Sequence, residues 1–381
     1  MIPSRQVNMV EIVKVKTKKD IKEFIEFPLK LYKDCRYFVP PLYSDEKKLL
    51  LKGESSDIAE SVFYLARKDG ETVGRIQGII QKQYNSIHNE KRVRFTRFDS
   101  INDREVSSAL FSAVEKWGRE KGMDTLCGPL GYSDLDREGL LIEGFEENST
   151  FEEQYNYEYY AALIENAGLE KEVDWLEFEL SYPDKPNEML GRVASRVLEM
   201  NKLHIAKTDG ISKKAYVDKY KDSFFECLDE CYGKLYGTVP ISPEMREELI
   251  SQFMLIVNKE FLFFICDDTD RVVAFGLCFP GIGECVKDSG GRLTLPALIK
   301  LLRTVKHPDV IDLGLVAVRP EYQSSGINAV ILKGLLDMLA SGRAKRCETN
   351  LNLETNTAVI SQWKYFNSRQ HKRRRAYCKK I

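Results

Sequence analysis

The chain carries the same order of apolar and polar segments twice, at an offset of about 200 residues, which indicates an internal repeat. In each copy, two apolar stretches flank a polar turn and predict a β-hairpin. A strand and a helix follow, and then another strand, an asparagine, a short helix and a last strand; the helix has one apolar face in the first copy and is apolar nearly all round in the second. The paired segments are 62–80 and 261–279 for the hairpins, 92–98 and 310–318 for the next strands, 104–121 and 326–340 for the helices, 124–127 and 346–353 for the following strands, Asn156 and Asn356, and 175–180 and 376–381 for the last strands.

The two copies meet at residues 181–187, where Pro183 and Pro186 indicate a linker. We therefore expect one domain at 1–182 and a second at 187–381. This order of elements predicts an α/β (α+β) architecture in each domain.

Helix signals flank both copies. Thr17 is expected to be the N-cap of the first helix, with Asp20 three residues later in a capping box. A basic helix is predicted inside the second copy, with Lys300, Arg303 and Lys306 on one solvated face, and a binding patch is the alternative. Further helices are predicted at about 187–202, 212–235 and 295–306, the last being this basic helix.

The composition of the 381 residues excludes several classes of protein. Hydrophobic residues make up 43% and charged residues 30%, which is typical of a folded, soluble protein. With 57 basic and 58 acidic residues, the net charge of −1 argues against a protein that coats nucleic acid. Since no segment is long and apolar enough to span a membrane and no signal peptide is present, we expect a cytoplasmic protein without a membrane partner.

Neither the basic tail nor the cysteines indicate a separate site. The run His371 to Arg375, with Lys379 and Lys380, is interpreted as a solvated edge, and contact with phosphate or RNA is the alternative. The nine cysteines are expected to be reduced, and most of them to lie in the core. No histidine has the spacing of a metal ligand, so we expect no metal.

The most informative local segment is Val318 to Asn328, which lies between a predicted strand and a predicted helix. Small residues at this junction allow successive main-chain N–H groups to converge on an anion at the start of the helix. The segment therefore predicts a phosphate-binding loop.

Gln323 and Gly326, preceded by Arg319 to Tyr322, resemble the pyrophosphate loop of the general-control-type N-acetyltransferase (GNAT) superfamily, Gln/Arg-x-x-Gly-x-Gly/Ala. Asn328 departs from it at the third small position. Further segments resemble a bacterial group of uncharacterised two-domain GNAT proteins: Phe38 to Leu42, Gly128 to Leu130, Glu138 to Phe145, Asn156 with Tyr159 and Tyr160, and Val239 with Pro240. The resemblance implies two GNAT-like domains in tandem, each with a mixed, mostly antiparallel sheet flanked by helices.

The resemblance also implies one acyl-CoA site, in the second half. There the loop would hold the pyrophosphate, and the preceding strand would splay from its neighbour, bind the pantetheine arm and polarise the thioester carbonyl. The implied cofactor-binding residues are Leu315, Val316, Ala317, Val318, Gln323, Ser324, Ser325, Gly326, Ile327, Asn328 and Asn356. In the first half, Asp103 and Glu105 stand at the equivalent position and would repel a pyrophosphate, so that copy is expected to be degenerate.

Acid–base chemistry is less well defined by the resemblance. Asp312 and Glu348, on neighbouring predicted strands, are the candidates for the base, and polar strand positions are the alternative interpretation. Trp363 stands where the family carries a thiolate-protonating tyrosine, so Tyr365 is the candidate acid, or else a packing aromatic. Acidic residues of the first half, Asp134, Asp136, Glu138 and Glu143, would attract a cationic amine, or else form a solvated loop.

The leading hypothesis is an N-acyltransferase that uses acetyl-CoA or another acyl-CoA as co-substrate. A small-molecule or peptide amine would attack the thioester directly in a ternary complex. One alternative is a catalytically degenerate CoA-binding or interaction protein. The other is an aminoacyl-tRNA-dependent transferase, which the basic tail alone favours and for which nucleic acid would be the partner.

Overall fold

The structure is a computed structural model that describes residues 9–51, 56–233 and 235–381. The chain forms two compact units. The first unit contains residues 1–175, 286–293 and 372–381, and the second unit contains residues 176–285 and 294–371. The units therefore divide differently from a single cut at the Pro183 to Pro186 linker.

Among the residues that the structure describes, twelve elements precede that linker. They are β1 (Glu11–Lys14), α1 (Lys18–Leu31), α2 (Tyr43–Leu51), β2 (Ala59–Lys68), β3 (Glu71–Gln81), α3 (Lys82–His88), β4 (Arg92–Ser100), α4 (Arg104–Glu120), β5 (Thr125–Gly128), β6 (Leu140–Glu143), α5 (Tyr160–Asn166) and β7 (Glu170–Ser181).

The remaining elements follow the linker. They are α6 (Glu188–Met200), β8 (His204–Ile205), α7 (Lys213–Tyr232), α8 (Pro243–Phe253), β9 (Leu262–Cys266), β10 (Val272–Pro280), α9 (Gly283–Val286), α10 (Leu295–Lys306), β11 (Val310–Val318), α11 (Asn328–Ala340), β12 (Arg346–Thr349), β13 (Asn352–Leu353), α12 (Thr357–Ile360) and β14 (Asn367–Lys380). Short 3₁₀ helices cover Lys259–Phe261, Pro320–Tyr322 and Ser361–Tyr365.

The first unit is built on a mixed, mostly antiparallel sheet. Strands β1, β2, β3 and β4 pair antiparallel in order, β4 pairs parallel with β5, and β5 pairs antiparallel with the end of β14. The predicted hairpin turn is present, because Asp69 and Gly70 both have positive φ, as a tight turn between twisted strands requires. The last strand of the first unit's sheet is supplied by the C-terminal end of β14.

Helices cover the sheet of the first unit as the apolar periodicity predicts. Val106, Leu110 and Val114 on α4 are fully buried. Gly74 on β3 allows the close approach, because a Cβ there would lie 2.8 Å from Cδ1 of Leu110. The capping box of α1 is also confirmed, since the Asp20 N–H donates to Oγ1 of Thr17 at 3.1 Å.

The second unit has the same kind of sheet. The order is β7, β12, β11, β10, β9 and β8, with β11 parallel to β12 and the other pairs antiparallel. Helix α11 packs on one face through Leu332, Leu335, Leu336 and Leu339. The predicted α/β (α+β) class with mixed, mostly antiparallel sheets is confirmed.

The interpretation of the basic tail as a solvated edge is wrong for residues 371–375, whereas Lys380 is exposed. Lys372 is 1% exposed and Arg374 is fully buried, because β14 alternates its side chains between two faces of the first unit. Arg375 donates to Asp174 at 2.7 and 3.0 Å, and Arg373 donates to the same carboxylate at 3.2 Å. The charges of Arg373 and Arg375 are therefore paired with Asp174 inside the first unit.

Across the described ranges of the chain, no helix has the length and apolar character that crossing a membrane requires.

Candidate functional site

The candidate site lies where β11 leaves its neighbour β12. The parallel pairing runs from Val310 with Arg346 to Leu313 with Thr349. The N–H of Asn350 then donates to the Leu313 carbonyl at 3.0 Å, and the ladder ends there. Beyond this point β11 stays paired with β10 alone, as far as Val318. The strand edge after Leu313 is therefore open on the β12 side.

A β-bulge decides which main-chain groups face this opening. Leu313 pairs with Cys278 and Leu315 with Leu277, which leaves Gly314 without a partner in β10. The N–H of Arg319 donates to β10, and main-chain groups alternate in direction along a strand. Val316 and Val318 therefore turn their N–H and C=O groups to the opening. Leu315 and Ala317, two of the predicted pantetheine-binding residues, turn theirs to β10.

Helix α7 already occupies this edge. The Tyr232 hydroxyl donates to the Val316 carbonyl at 3.1 Å and accepts from the Val316 N–H at 3.3 Å. The Cys231 thiol lies 3.3 Å from the carbonyl oxygen of Val318. These two residues come from the last turn of α7. A ligand on the open edge would have to displace them.

The loop after β11 leaves several main-chain donors unused. For the N–H groups of Ser324, Gly326, Ile327 and Asn328, no acceptor is recorded within the described ranges. Ser324 and Gly326 have φ of +64° and +86°, which turns the chain sharply into α11. The amides thus cluster at the positive end of the α11 dipole, where an anion is stabilised.

Other residues of the loop hold it in place. The fully buried Arg319 forms an ion pair with Glu230 of α7 and donates to the Val272 carbonyl of β10 at 2.8 Å. The side chain of Gln323 donates to the Val318 carbonyl at 3.1 Å. Ile327 is a core residue, 1% exposed, so only its main chain faces the loop. Arg319 is therefore structural, and the candidate donors are main-chain groups.

An apolar cavity lies between the sheet, α11 and the 3₁₀ helix Ser361–Tyr365, with a volume of about 20 Å³. Its wall includes Leu313 and Val316 of β11, Leu335 of α11 and Trp363. A cavity of this size holds roughly one water molecule. A pantetheine arm needs more room, so the cleft would have to widen.

Trp363 is 4% exposed, and for its indole N–H the described residues offer no hydrogen-bond acceptor. Tyr365, the predicted acid, is partly buried and packs on the core of the second unit. Asn356 caps α12 by accepting from the Val359 N–H at 3.3 Å. The predicted roles of Tyr365 and Asn356 stay predictions, and both side chains have structural contacts.

The two candidate bases lie side by side. Asp312 and Glu348 are paired across β11 and β12, and they are 6% and 7% exposed. Because side chains alternate along a strand, they face away from Leu313 and Cys347, which pack with α11. The imidazole of His371, also buried, lies 3.9 Å from the Glu348 carboxylate. The contact of His371 with Glu348 is not predicted from the sequence, because His371 belongs to a basic run that is interpreted as a solvated edge.

The equivalent loop of the first unit is closed to anions. Asp103 is the N-cap of α4, and its carboxylate accepts from the Glu105 N–H at 2.8 Å and the Val106 N–H at 3.4 Å. Lys68 forms an ion pair with the same carboxylate at 3.1 Å. The donors that would hold a phosphate are thus taken by a side chain of the protein itself.

Among the described residues, no three His, Cys, Asp or Glu side chains lie close enough together to bind a metal ion.

A tandem GNAT protein from the clavulanic acid biosynthesis pathway superposes with a TM-score of 0.57 at 13% identity, covering 97% of this chain and 98% of that one. The chain has the tandem GNAT fold. A GCN5-related N-acetyltransferase from Sphaerobacter thermophilus gives a TM-score of 0.50 at 11% identity, covering 97% and 95% of the two chains.

Two curated relatives match along nearly the whole length. Protein YghO of Escherichia coli (strain K12) is 28% identical over 378 residues, covering 96% of this chain and 94% of the relative. The bacterial ceramide synthase of Caulobacter vibrioides is 24% identical over 384 residues, covering 98% of each. No family model matches the chain. The resemblance to tandem GNAT proteins is thus confirmed as a likeness of fold.

Proposed function

We propose that the second unit binds an acyl-CoA and transfers its acyl group to an amine. The observation that carries the proposal is the set of unused main-chain N–H groups at Ser324, Gly326, Ile327 and Asn328, next to the open edge of β11. Four N–H donors at the start of a helix can hold a pyrophosphate without a cationic surface around them. This matters because the net charge of the chain is −1.

The open edge would hold the pantetheine arm. Once Tyr232 moves away, the N–H and C=O groups of Val316 are free to bond the amide groups of the arm or the thioester oxygen. A fixed N–H donor at the thioester oxygen stabilises the negative charge that develops there. The apolar wall of the cleft would exclude water from the reacting carbon.

The proton of the attacking amine would leave through Asp312 or Glu348. The amine nitrogen bonds to the acyl carbon, the carbon–sulfur bond breaks, and the sulfur leaves as a thiolate. A buried carboxylate on the face opposite α11 takes the proton that the nitrogen loses, directly or through water. The chain itself therefore supplies positioning, one oxyanion donor and one base.

The curated relatives suggest which amines to test first. A ceramide is a long-chain amino alcohol whose nitrogen carries a fatty acyl group, so the name of the Caulobacter relative describes acyl transfer to an amine. We propose an amine with a long apolar chain as the acceptor class and a long-chain acyl-CoA beside acetyl-CoA as donor. A panel of small polar amines is the comparison.

Calorimetric titration of the intact protein with acetyl-CoA, a long-chain acyl-CoA and CoA tests the proposal. Gly326→Glu should abolish binding, because it brings a side chain and a negative charge to the predicted phosphate position. Gly342→Glu is the matched control, since Gly342 also has positive φ, near the opposite end of α11, with open space around it. Absence of binding to the unmodified chain would remove the proposal.

Binding without turnover is the second candidate function. It is favoured by the contact between Tyr232 and Val316 and by Trp363 at the position of the expected tyrosine. Product formation with any amine of the panel would exclude it. The aminoacyl-tRNA alternative has lost its support, because the tail residues that favoured it are paired inside the first unit.

A further inference from the structure

Helix α10 in the second unit exposes an unusual set of side chains. Leu295, Ile299 and Leu302 are 72%, 44% and 51% exposed. Their spacing of four and three residues places them in one row along the helix. Single exposed leucines are ordinary, but a row of three on a helix of twelve residues is a continuous apolar stripe.

Every charged side chain on α10 itself is a cation, and the Lys300 ammonium donates to the Glu284 carbonyl of α9. Lys300, Arg303 and Lys306 are exposed, and α10 contains no acidic residue. These are the three residues that the sequence analysis assigned to one solvated face. The structure adds that the same exposed surface carries the three apolar side chains.

The opposite face fixes the helix to the second unit. Ala297 and Leu301 are buried, the Val305 carbonyl accepts from Asn258 at 3.1 Å, and Thr304 is 3.3 Å from the Cys285 sulfur. Thr294 caps the first turn by accepting from the Ala297 N–H. The helix is therefore fixed to the second unit on one side, and its outer face carries both apolar and cationic side chains.

We propose that α10 is a docking helix for the surface of an anionic phospholipid membrane. Its leucine and isoleucine side chains would enter the boundary between headgroups and acyl chains, and its lysine and arginine side chains would contact lipid phosphates. A helix of this kind lies in the plane of the surface and needs no spanning segment. The expectation of no membrane partner rested on the absence of such a segment, so it does not bear on peripheral attachment.

Charge complementarity distinguishes α10 from α6. Helix α6 also exposes apolar side chains, Met189, Val193 and Met200, but they lie among charges of both signs, Glu188 and Glu199 with Arg192 and Arg196. Carboxylates would be repelled by anionic lipid, whereas every charge on α10 is attracted. The proposal is independent of acyl-CoA binding, although attachment to the surface where long-chain amines collect would suit the proposed acceptor.

Sedimentation of the full chain with vesicles tests the proposal in the absence of any CoA. The vesicles are phosphatidylcholine alone, or an equimolar mixture of phosphatidylcholine and phosphatidylglycerol. We expect binding to the mixed vesicles that weakens as salt is raised. The double variant Ile299→Asp/Leu302→Asp should weaken it about tenfold or more, because it removes the inserted side chains and adds repelled charges. The double variant Arg303→Glu/Lys306→Glu should weaken binding to the mixed vesicles by at least about tenfold, since each cation near such a surface contributes about fivefold.

Matched controls keep the result specific. Met200→Asp changes an exposed apolar residue on α6, and Lys116→Glu reverses an exposed charge on α4. Both should bind as the unmodified chain does, and thermal unfolding should show that all variants are folded. No binding of the unmodified chain to the mixed vesicles, or equal losses in Met200→Asp and the α10 variants, would overturn the proposal. It would also be overturned if the chain ignored vesicles but formed a dimer that Ile299→Asp/Leu302→Asp dissociates, because the stripe would then bind a second copy.

Discussion

The hydroxyl of Tyr232 bonds to both main-chain groups of Val316, donating to the carbonyl at 3.1 Å and accepting from the N–H at 3.3 Å. Val316 lies on the open edge of β11, and its N–H and C=O are the groups that the proposed pantetheine arm would bond. The protein thus fills its own edge with a tyrosine, and acyl-CoA would exchange one set of hydrogen bonds for another. The affinity for acyl-CoA should therefore depend on the strength of the two hydrogen bonds that Tyr232 would lose.

Replacing Tyr232 with phenylalanine should tighten binding of CoA and acyl-CoA about fivefold. The variant loses competing hydrogen bonds whose net worth is about 1 kcal/mol, and it keeps the half-buried aromatic ring. Titration calorimetry of both proteins measures the change.

Tyr216→Phe is the control for this substitution. Tyr216 lies on the same helix, and its hydroxyl donates to the Leu262 carbonyl at 3.1 Å, away from the open edge. It should lower stability by a similar amount and leave CoA affinity unchanged. Unchanged or weaker CoA affinity in Tyr232→Phe would show that the hydroxyl does not compete with the ligand.

Asp312→Asn and Glu348→Gln should separate the two candidate bases. The carboxylate that accepts the proton should lower kcat by about 10²- to 10⁴-fold when neutralised, with CoA affinity unchanged. The other variant serves as the control, because the two residues are neighbours with equal burial. If both variants keep full kcat, neither carboxylate is the base.

Asp174→Ala should destabilise the first unit by about 3 kcal/mol, because it leaves two arginines without a buried carboxylate partner. The Asp174 side chain is fully buried between Arg373 and Arg375. Lys380→Ala removes an exposed pair with Asp124 and should cost less than about 1 kcal/mol. Denaturant unfolding measures both, and equal costs would contradict the internal role of the tail.

Local pattern was sufficient for much of the fold. The Thr17 capping box, the Asp69 and Gly70 turn and the apolar stripe of α4 depend on residues a few positions apart, so each could be predicted. The phosphate-loop segment could be located for the same reason. Its donors are main-chain groups between a strand and a helix, and that junction is visible in the sequence.

Other features depend on partners far along the chain. Arg375 and Asp174 are 201 positions apart, and nothing local shows that a basic strand would meet a buried carboxylate. Alternation within 371–375 does not show which sheet the strand joins, and the end of β14 pairs with β5 of the first unit. The contact of Tyr232 with Val316 spans 84 positions and was missed on the same ground.

Acid should weaken the first unit through Glu46. Burial raises the pKa of this carboxyl, but the charges and hydrogen bonds of Arg97, with Arg75 nearby, outweigh burial and lower it from 4.5 to about 2. Since the folded pKa lies below the unfolded one, the stabilisation is complete above pH 4.5 and is lost as pH falls towards 2. The loss should approach about 3 kcal/mol, as a shift of this size implies.

Urea unfolding between pH 6 and about pH 3 checks this dependence, with the Glu46→Gln variant beside the unmodified chain. The variant should be less stable at neutral pH, and the difference should shrink in acid. Glu120→Gln, at an exposed position on α4, should follow the unmodified chain throughout. A constant difference for Glu46→Gln would mean that the ion pair with Arg97 contributes no pH dependence.

Hydrogen exchange of the main-chain amides, with and without CoA, shows whether the loop after β11 binds the pyrophosphate. We expect CoA to slow exchange at Ser324, Gly326, Ile327 and Asn328, because these donors gain a phosphate acceptor. Exchange at the start of α4 should not change, because the Asp103 carboxylate already accepts from the amides there. Bound CoA with unchanged exchange at Ser324, Gly326, Ile327 and Asn328 would show that these amides do not hold the phosphates.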